Sequence, residues 1–395
     1  MIYHVFMLVW EERFVRNFVE VSLPFQCMAG NLPSLARDGE IFYHIYTNRD
    51  SLPAFEPNVQ ALASHATLHF HLIDDLNVGD TPLLDWVKNL EGPEIKYEIQ
   101  KHCVLHLTDR THADPDSEIV LLDSNFILSD GTLAAAAAHM QAGAKAVNIN
   151  FLRVNSESAL PALKDQLAAE ASVSGRNLVQ VALDHAHHLQ EAFFVDAENF
   201  TSYPSQLCWR VADTGIVAHA FIPHPLIVKS TPLIKTYQST MDYDLVLRSW
   251  PDDDIFMCDD SDEMMVLKYS SPGHLSHRNS RAEMSPEELA GDLAKDLALF
   301  LITSTHQRHR QFGDVAVRYH VAGFDQAGDD IWRDVEQASA AHLQAADQEI
   351  DFILAHAEKL DAKFLMHIKS HTGPIENYMS PALEPAALNK LGEEE

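Results

Sequence analysis

The stretch Glu118-Ile119-Val120-Leu121-Leu122-Asp123-Ser124-Asn125-Phe126-Ile127-Leu128-Ser129-Asp130-Gly131 decides how this chain is read. Four apolar residues in succession, Ile119 to Leu122, fit a central strand covered on both faces. The run empties into Asp123-Ser124-Asn125, and open α/β sheets place their ligands at the carboxyl ends of their strands. A second apolar patch, Phe126 to Leu128, leads to Ser129-Asp130-Gly131. The alanine-rich segment from Gly131 to Ala144 then reads as a helix whose small side chains allow close packing on a sheet.

Towards the N-terminus, Tyr3 to Trp10 reads as a first strand. Phe14, Phe18 and Val21 to Leu23 follow at helical spacing until Pro24 interrupts or ends the helix. Asn31-Leu32-Pro33 is a turn signal. Ile41 to Thr47 is a second strand, running into Asn48-Arg49-Asp50, and Thr67 to Ile73 a third, closed by Asp74-Asp75. A helix is expected from Phe55 to Ala63, and another from Tyr97 to Leu107 with Ile99, Cys103 and Leu107 on one face. Ala146 to Phe151 is a further strand. Strand and helix alternate as in βαβ units, which predicts an α/β fold built on an open, doubly wound, mostly parallel sheet.

Composition narrows the function. The 395 residues carry 28 Lys and Arg against 58 Asp and Glu, a formal net charge of -30. Nucleic acid is therefore not an expected partner, because phosphate backbones bind cationic surfaces. A local basic pocket inside the acidic shell still leaves room for small phosphorylated ligands. Cys27, Cys103, Cys208 and Cys258 form no CxxC pair, which suits a reducing compartment and argues against a zinc ribbon. The apolar N-terminus lacks a basic n-region, and no apolar run reaches the roughly 18 residues that would span a bilayer. The expectation is a soluble, cytoplasmic protein with no transmembrane segment.

No GxGxxG follows the first strand, and neither GxxxxGK[ST] nor GxSxG occurs, so the usual dinucleotide, P-loop and hydrolase signatures are missing. The middle, about Ser156 to Ala192, is helical and contains Asp184-His185-Ala186-His187-His188, read as a polar helix face rather than a metal site. His224 lies between two prolines in an extended segment and is a candidate ligand contact or structural histidine. Ile255 to Cys258 is a short apolar strand emptying into Asp259-Asp260-Ser261-Asp262-Glu263, with His274 and His277 shortly after. Acids and histidines this dense need a cation or water to neutralise them. Asp123-Ser124-Asn125 has the better place for a cation and Asp260 to Glu263 the better chemistry. The two groups facing each other across one cleft is a third arrangement.

An N-terminal doubly wound half, the lack of Rossmann glycines and a strand ending in the DxD-like Asp123-Ser124-Asn125 resemble the GT-A glycosyltransferases, which use nucleotide-sugar donors. Leu23-Pro24 with Asn31-Leu32-Pro33, Ile45-Tyr46-Thr47 and Ser129-Asp130-Gly131 are similar to segments of bacterial proteins of that type. The resemblance covers about the first 150 residues, and Asn125 stands where the family pattern has a second acid, which leaves metal dependence open. It implies a nucleotide-sugar donor bound around Asp123, Asn125, Asp130 and Thr47, and a glycan or small-molecule acceptor. A divalent cation, Mn or Mg, would be held by Asp123, Asn125, Asp260, Asp262 and His274. Asp262 or Glu263 is the candidate catalytic base, needed for inversion but not for retention. A GT-A-like module that binds without turnover, and a metal-dependent hydrolase or phosphotransferase, are the alternatives.

The expected organisation is a donor and acceptor domain at 1–280, with its donor half about 1–150, then a helical region at 281–372 and a mobile acidic tail at 373–395. Within the helical region, Ser285-Pro286-Glu287-Glu288 reads as a capping-box start. Asp330 to Lys369 carries an apolar stripe for docking or self-association into a homo-oligomer.

Overall fold

The computed structural model describes residues 1–55, 59–90, 93–197, 200–201, 203–212, 214–274, 286–321, 329–356 and 362–375. Ser285, His277 and the tail beyond residue 375 lie outside the described residues, and with them the expected cap and tail.

Apart from a small antiparallel pair, Asn77–Val78 with Thr81–Pro82, the strands in chain order are β1 (Ile2–Leu8), β2 (Glu40–Thr47), β3 (Thr67–Leu72), β4 (Ser117–Asp123), β5 (Phe126–Leu128), β6 (Ala146–Ile149) and β7 (Leu152–Asn155). There follow β8 (Gln206–Val211), β9 (Gly215–Ala220), β10 (His224–Lys229), β11 (Ile255–Met257), β12 (Val266–Ser270) and β13 (Val317–His320). Seven of them form the central sheet in the order β11-β6-β10-β4-β1-β2-β3. All pairs are parallel except those of β10, which runs antiparallel to both β4 and β6. This is the mixed α/β fold with a mostly parallel sheet that the strand–helix alternation predicts. The reversed strand was not legible. Because β10 is reversed, its first residue, His224, lies beside Ile149 at the carboxyl edge of the sheet.

The stretch at 118–131 is the covered central strand. Val120 and Leu122 join Tyr3, Val5, Phe18 and Leu133 in the core on one face. Ile119 and Leu121 join Phe6, Cys103, Val104 and Leu107 on the other. Alternate side chains point to opposite faces, so four apolar residues in a row need cover on both sides. That cover comes from helix α1 (Pro93–Thr111) on one side and α2 (Thr132–Gln141) on the other.

Helix formation after β1 differs from expectation. Glu12–Asn17, a π turn at Phe18–Ser22 and Leu23–Gln26 succeed one another without a break. Pro24 falls in the first turn of the last piece, where a missing N–H is tolerated, and the wider π turn before it absorbs the mismatch.

Three strands of the central sheet stop, bend and restart. β4 continues after Ser124-Asn125 as β5, β6 continues after Asn150-Phe151 as β7, and β11 continues after 258–265 as β12. The restarted pieces form a second sheet, in the order β5-β12-β7. Side chains at the breaks are thereby gathered along the carboxyl edge of β4 and its neighbours. A third sheet, β8-β9-β13, is antiparallel. It is covered by α4 (Pro286–Ser304) and α5 (Asp329–Ala355), after α3 (Gly175–Asp184) earlier in the chain. The expected C-terminal helical region thus also supplies a strand, β13, to a sheet formed with residues 206–220. No described helix is long and apolar enough to cross a membrane.

Candidate functional site

Asp123 ends β4 and is the first side chain beyond its apolar run. Its Oδ2 accepts from Lys268 Nζ at 2.5 Å, and its Oδ1 from Gln100 Nε2 at 3.3 Å. Burial opposes ionisation of this carboxyl, but the charges of Lys268, Lys96 and His224 outweigh it and hold it well below the usual carboxylate range. Lys268 belongs to β12, and its ammonium also stands 5.1 Å from the Phe126 ring and 4.9 Å from the Phe151 ring.

Asn125 is committed to backbone. Its Nδ2 donates to the Tyr269 carbonyl at 2.8 Å, and its own carbonyl accepts from Tyr269 N at 3.1 Å. Both contacts hold β12 against the turn that follows β4, one residue from Lys268.

Arg153, on β7, donates from Nη1 to Ser270 Oγ at 2.6 Å and lies 5.6 Å from the Phe151 ring. Burial lowers its pKa, opposed by the nearby charges of Tyr97, Asp123 and Asp242. A cavity of about 50 Å³, lined in part by Asn150, Phe151, Phe193 and Gln206, opens beside it. His187 Nε2 donates to Ser271 O at 2.9 Å, its Nδ1 accepts from Leu189 N at 3.2 Å, and its ring centroid is 6.4 Å from that of His274. Desolvation pushes each of these histidines down to about 4, helped by Arg153 at both and by Lys96 and Lys268 at His274. Both are therefore neutral near pH 7. His224 is fully enclosed, bonded through Nδ1 to Asp242 Oδ1 at 3.0 Å and through Nε2 to Leu121 O at 2.9 Å. Burial would lower its pKa, but the Asp242 bond and charge raise it instead.

The other residues singled out from sequence lie elsewhere. Asp130 Oδ1 accepts from Gly30 N at 2.6 Å, in a junction completed by Asn31. Asn31 Nδ2 donates to Phe25 O and Ser129 O, and its Oδ1 accepts from Leu133 N. Asn31-Leu32-Pro33, read from sequence as a turn signal, and Ser129-Asp130-Gly131 are therefore one clamp between the first crossover and α2. Gly131 has φ +104, a left-handed conformation that suits glycine. Thr47, at the end of β2, is wholly buried, and its hydroxyl has no partner among the described residues.

Asp260, Asp262 and His320 offer ligand atoms within 4.8 Å of one another, a spacing compatible with a divalent cation. His320, on β13, replaces the expected His274 in that group. Asp260 Oδ1 lies 3.2 Å from His320 Nε2 and accepts from Asp262 N at 2.8 Å. Asp262 is gripped by Arg176 at 2.7 Å, and Glu263 Oε1 pairs with His139 Nε2 at 2.7 Å. These acids and Asp123 are held by different partners, so the expected five-residue metal set is divided among separate neighbourhoods. A larger cavity of about 460 Å³, lined by Arg248, Trp250, Asp252 and Arg308 among others, contains none of the predicted residues.

Asp123 and Asn125 do not fit a divalent cation. One carboxylate oxygen of Asp123 faces an ammonium and the other a side-chain amide, and Asn125, turned by its Nδ2 bond to Tyr269 O, offers only a neutral oxygen in place of a second acid. Lys268, Arg153, Lys96 and Asp242 were not legible in the sequence as site residues. The available signal was a lone cation inside an apolar strand, as in Val266-Leu267-Lys268-Tyr269 and Leu152-Arg153-Val154, in a strongly acidic chain.

No family model matches the sequence, and no curated protein does. Among solved structures, the chain is similar to mouse xyloside xylosyltransferase 1 in its apo form, at 14% identity and a TM-score of 0.27. That match covers 38% of this chain and 53% of the other, so the chain spans about half the length of that protein. At that TM-score the likeness carries no weight for fold or activity.

Proposed function

We propose that the chain is a nucleotide-sugar-dependent glycosyltransferase acting on a glycan or small-molecule acceptor. One observation carries this reading. Asp123 and the cations Lys268 and Arg153 converge where the central strand of a mostly parallel sheet breaks, and Lys96 lies in their electrostatic neighbourhood. Carboxyl ends of such strands are where α/β sheets take their ligands, and a cationic group inside an acidic shell selects a phosphorylated one.

In this reading the acceptor hydroxyl attacks the anomeric carbon of the donor sugar and the bond to the nucleoside diphosphate breaks. The leaving diphosphate gains negative charge, which nearby fixed cations stabilise. The acceptor proton passes to a carboxylate if the reaction inverts. Asp262 and Glu263 remain candidates for that role. Asp242 is a third, because it is bonded to His224 at the same edge as Asp123 and its charge is felt by Arg153.

A second reading has its own observation. Asp123 and Lys268 already satisfy each other, as they would in a module that binds a sugar nucleotide without turning it over. Incubating the protein with UDP-, GDP- and CMP-sugars and measuring nucleotide release and sugar transfer separates the two. Turnover that is lost in Asp123→Ala supports the enzyme. Binding without turnover supports the module, and neither binding nor turnover removes both.

A further inference from the structure

We propose that Lys268, flanked by Arg153, is the built-in cation of this site, which takes a diphosphate group without a divalent metal. The inference rests on the nucleotide-sugar reading and names how that site handles its charge.

Four observations lead to it. Lys268 and Asp123 form a pair whose side chains are only 12% and 14% exposed, so the position next to the carboxylate is already filled by positive charge. A second cation, Arg153, is fixed by Ser270, two residues along the same strand from Lys268. Arg153 is also the register partner of Lys268 across β7 and β12, and the two lie 5.6 and 4.9 Å from the same Phe151 ring, which places two cations side by side. Finally, Asn125 does something an acid could not. Its amide N–H donates to the Tyr269 carbonyl, whereas an aspartate there would turn a carboxylate towards that carbonyl. The departure from the DxD pattern and the presence of Lys268 are thus two parts of one arrangement. Asn125 is a positioning residue that seats the strand carrying the lysine.

A metal at Asp123 would have to displace the ammonium and then sit among the remaining cations. A diphosphate meets no such obstacle. Lys268 has three N–H donors and spends one on Asp123, and Arg153 spends one of five on Ser270. The nucleoside is left to the rest of the edge.

Titration calorimetry on the full chain tests this, with inorganic pyrophosphate, UDP and GDP as probes, each in EDTA and again with manganese. The expected result is binding of at least one probe in EDTA, with manganese changing the affinity by less than about threefold. Lys268→Ala alone would strand Asp123, so the decisive variant is Lys268→Ala with Asp123→Asn. It is expected to weaken binding by about 10- to 100-fold, the loss of one charge-assisted hydrogen bond. Lys268→Arg should retain most of the affinity. Arg153→Gln gives an independent reading of the same cluster should the double variant not fold. Asn125→Asp is expected to weaken probe binding in EDTA without making it manganese-dependent.

Binding that requires manganese would overturn the inference while leaving the glycosyltransferase reading in place. Binding in EDTA that survives both the double variant and Arg153→Gln unchanged would also overturn it. If pyrophosphate, UDP and GDP all fail to bind with or without manganese, the inference and the reading fall together.

Discussion

Lys268 Nζ stands 2.5 Å from Oδ2 of Asp123, joining the end of the central strand to a strand 145 residues later in the chain. Removing one member leaves the other charged, mostly buried and without its partner, which costs more than removing both. A double-mutant cycle with Asp123→Asn and Lys268→Met is therefore expected to show coupling of about 1–3 kcal/mol in unfolding free energy. Urea denaturation of the four proteins measures it. Additive effects would mean the two side chains do not interact in solution.

The clamp at Asn31 is expected to matter for the fold rather than for chemistry. Asn31 is wholly buried, and its side chain serves two carbonyls and one N–H that water does not reach. Asn31→Ala should cost about 2–5 kcal/mol by chemical denaturation. A loss below about 0.5 kcal/mol, the size of an ordinary surface substitution, would show that the junction with Ser129 and Leu133 repacks.

Acid sensitivity is expected from a row of imidazoles across the first three strands. His4 Nδ1 lies 3.1 Å from His44 Nε2, and His44 Nδ1 lies 2.9 Å from His71 Nε2. Burial, then the neighbouring histidines and Arg110, push His44 down to about 2. Burial likewise takes His4 and His71 to about 4, with Asp114 opposing it at His4 and His106 and Arg110 adding to it at His71. Unfolded histidines titrate near 6.5. Between that value and about 4 the unfolded chain binds protons that the folded chain does not, so stability falls as the pH falls. Each such histidine contributes a slope of up to about 1.4 kcal/mol per pH unit. Denaturation from pH 7 to pH 4.5 should show a decline that His44→Gln reduces. A flat profile in the parent protein would contradict these native-state values.

The three candidate bases make different predictions. Asp242 shares an edge with Asp123 through His224, while Glu263 is paired with His139 and Asp262 with Arg176. If the reaction inverts at the Asp123 edge, Asp242→Asn should lower kcat by about 100-fold or more, the usual scale of general-base loss. Glu263→Gln and Asp262→Asn should change kcat by less than about threefold and stability by no more than about 1 kcal/mol, as for exposed pairs. Steady-state kinetics with the active donor decides between them. A large kcat loss confined to Glu263→Gln would return the base to the Asp260 to Glu263 group.

Much of the fold was legible because its signals are local. Ile119 to Leu122 announced a two-faced strand, and the core on either side of it follows from alternation alone. The reversed direction of His224–Lys229 was not legible, because the short apolar run Leu226-Ile227-Val228 reads alike in both directions. The three broken strands were seen as strand ends, but not as continuing into a second sheet that crosses the site. For the site, Asp123 was found because it terminates a strand. Lys268 and Arg153 were missed because a single charge in an apolar strand acquires meaning only from what stands opposite. His320 was missed for the same reason, as it joins Asp260 and Asp262 through pairing of the third sheet with the turn after β11.

The most direct test of the account is a crystal structure of the protein with the nucleoside diphosphate that raises its melting temperature most. The diphosphate is expected at the carboxyl edge of β4, within hydrogen-bond distance of Lys268 and Arg153. A diphosphate bound instead at Asp260, Asp262 and His320 through a metal ion, with the Asp123–Lys268 pair untouched, would contradict it.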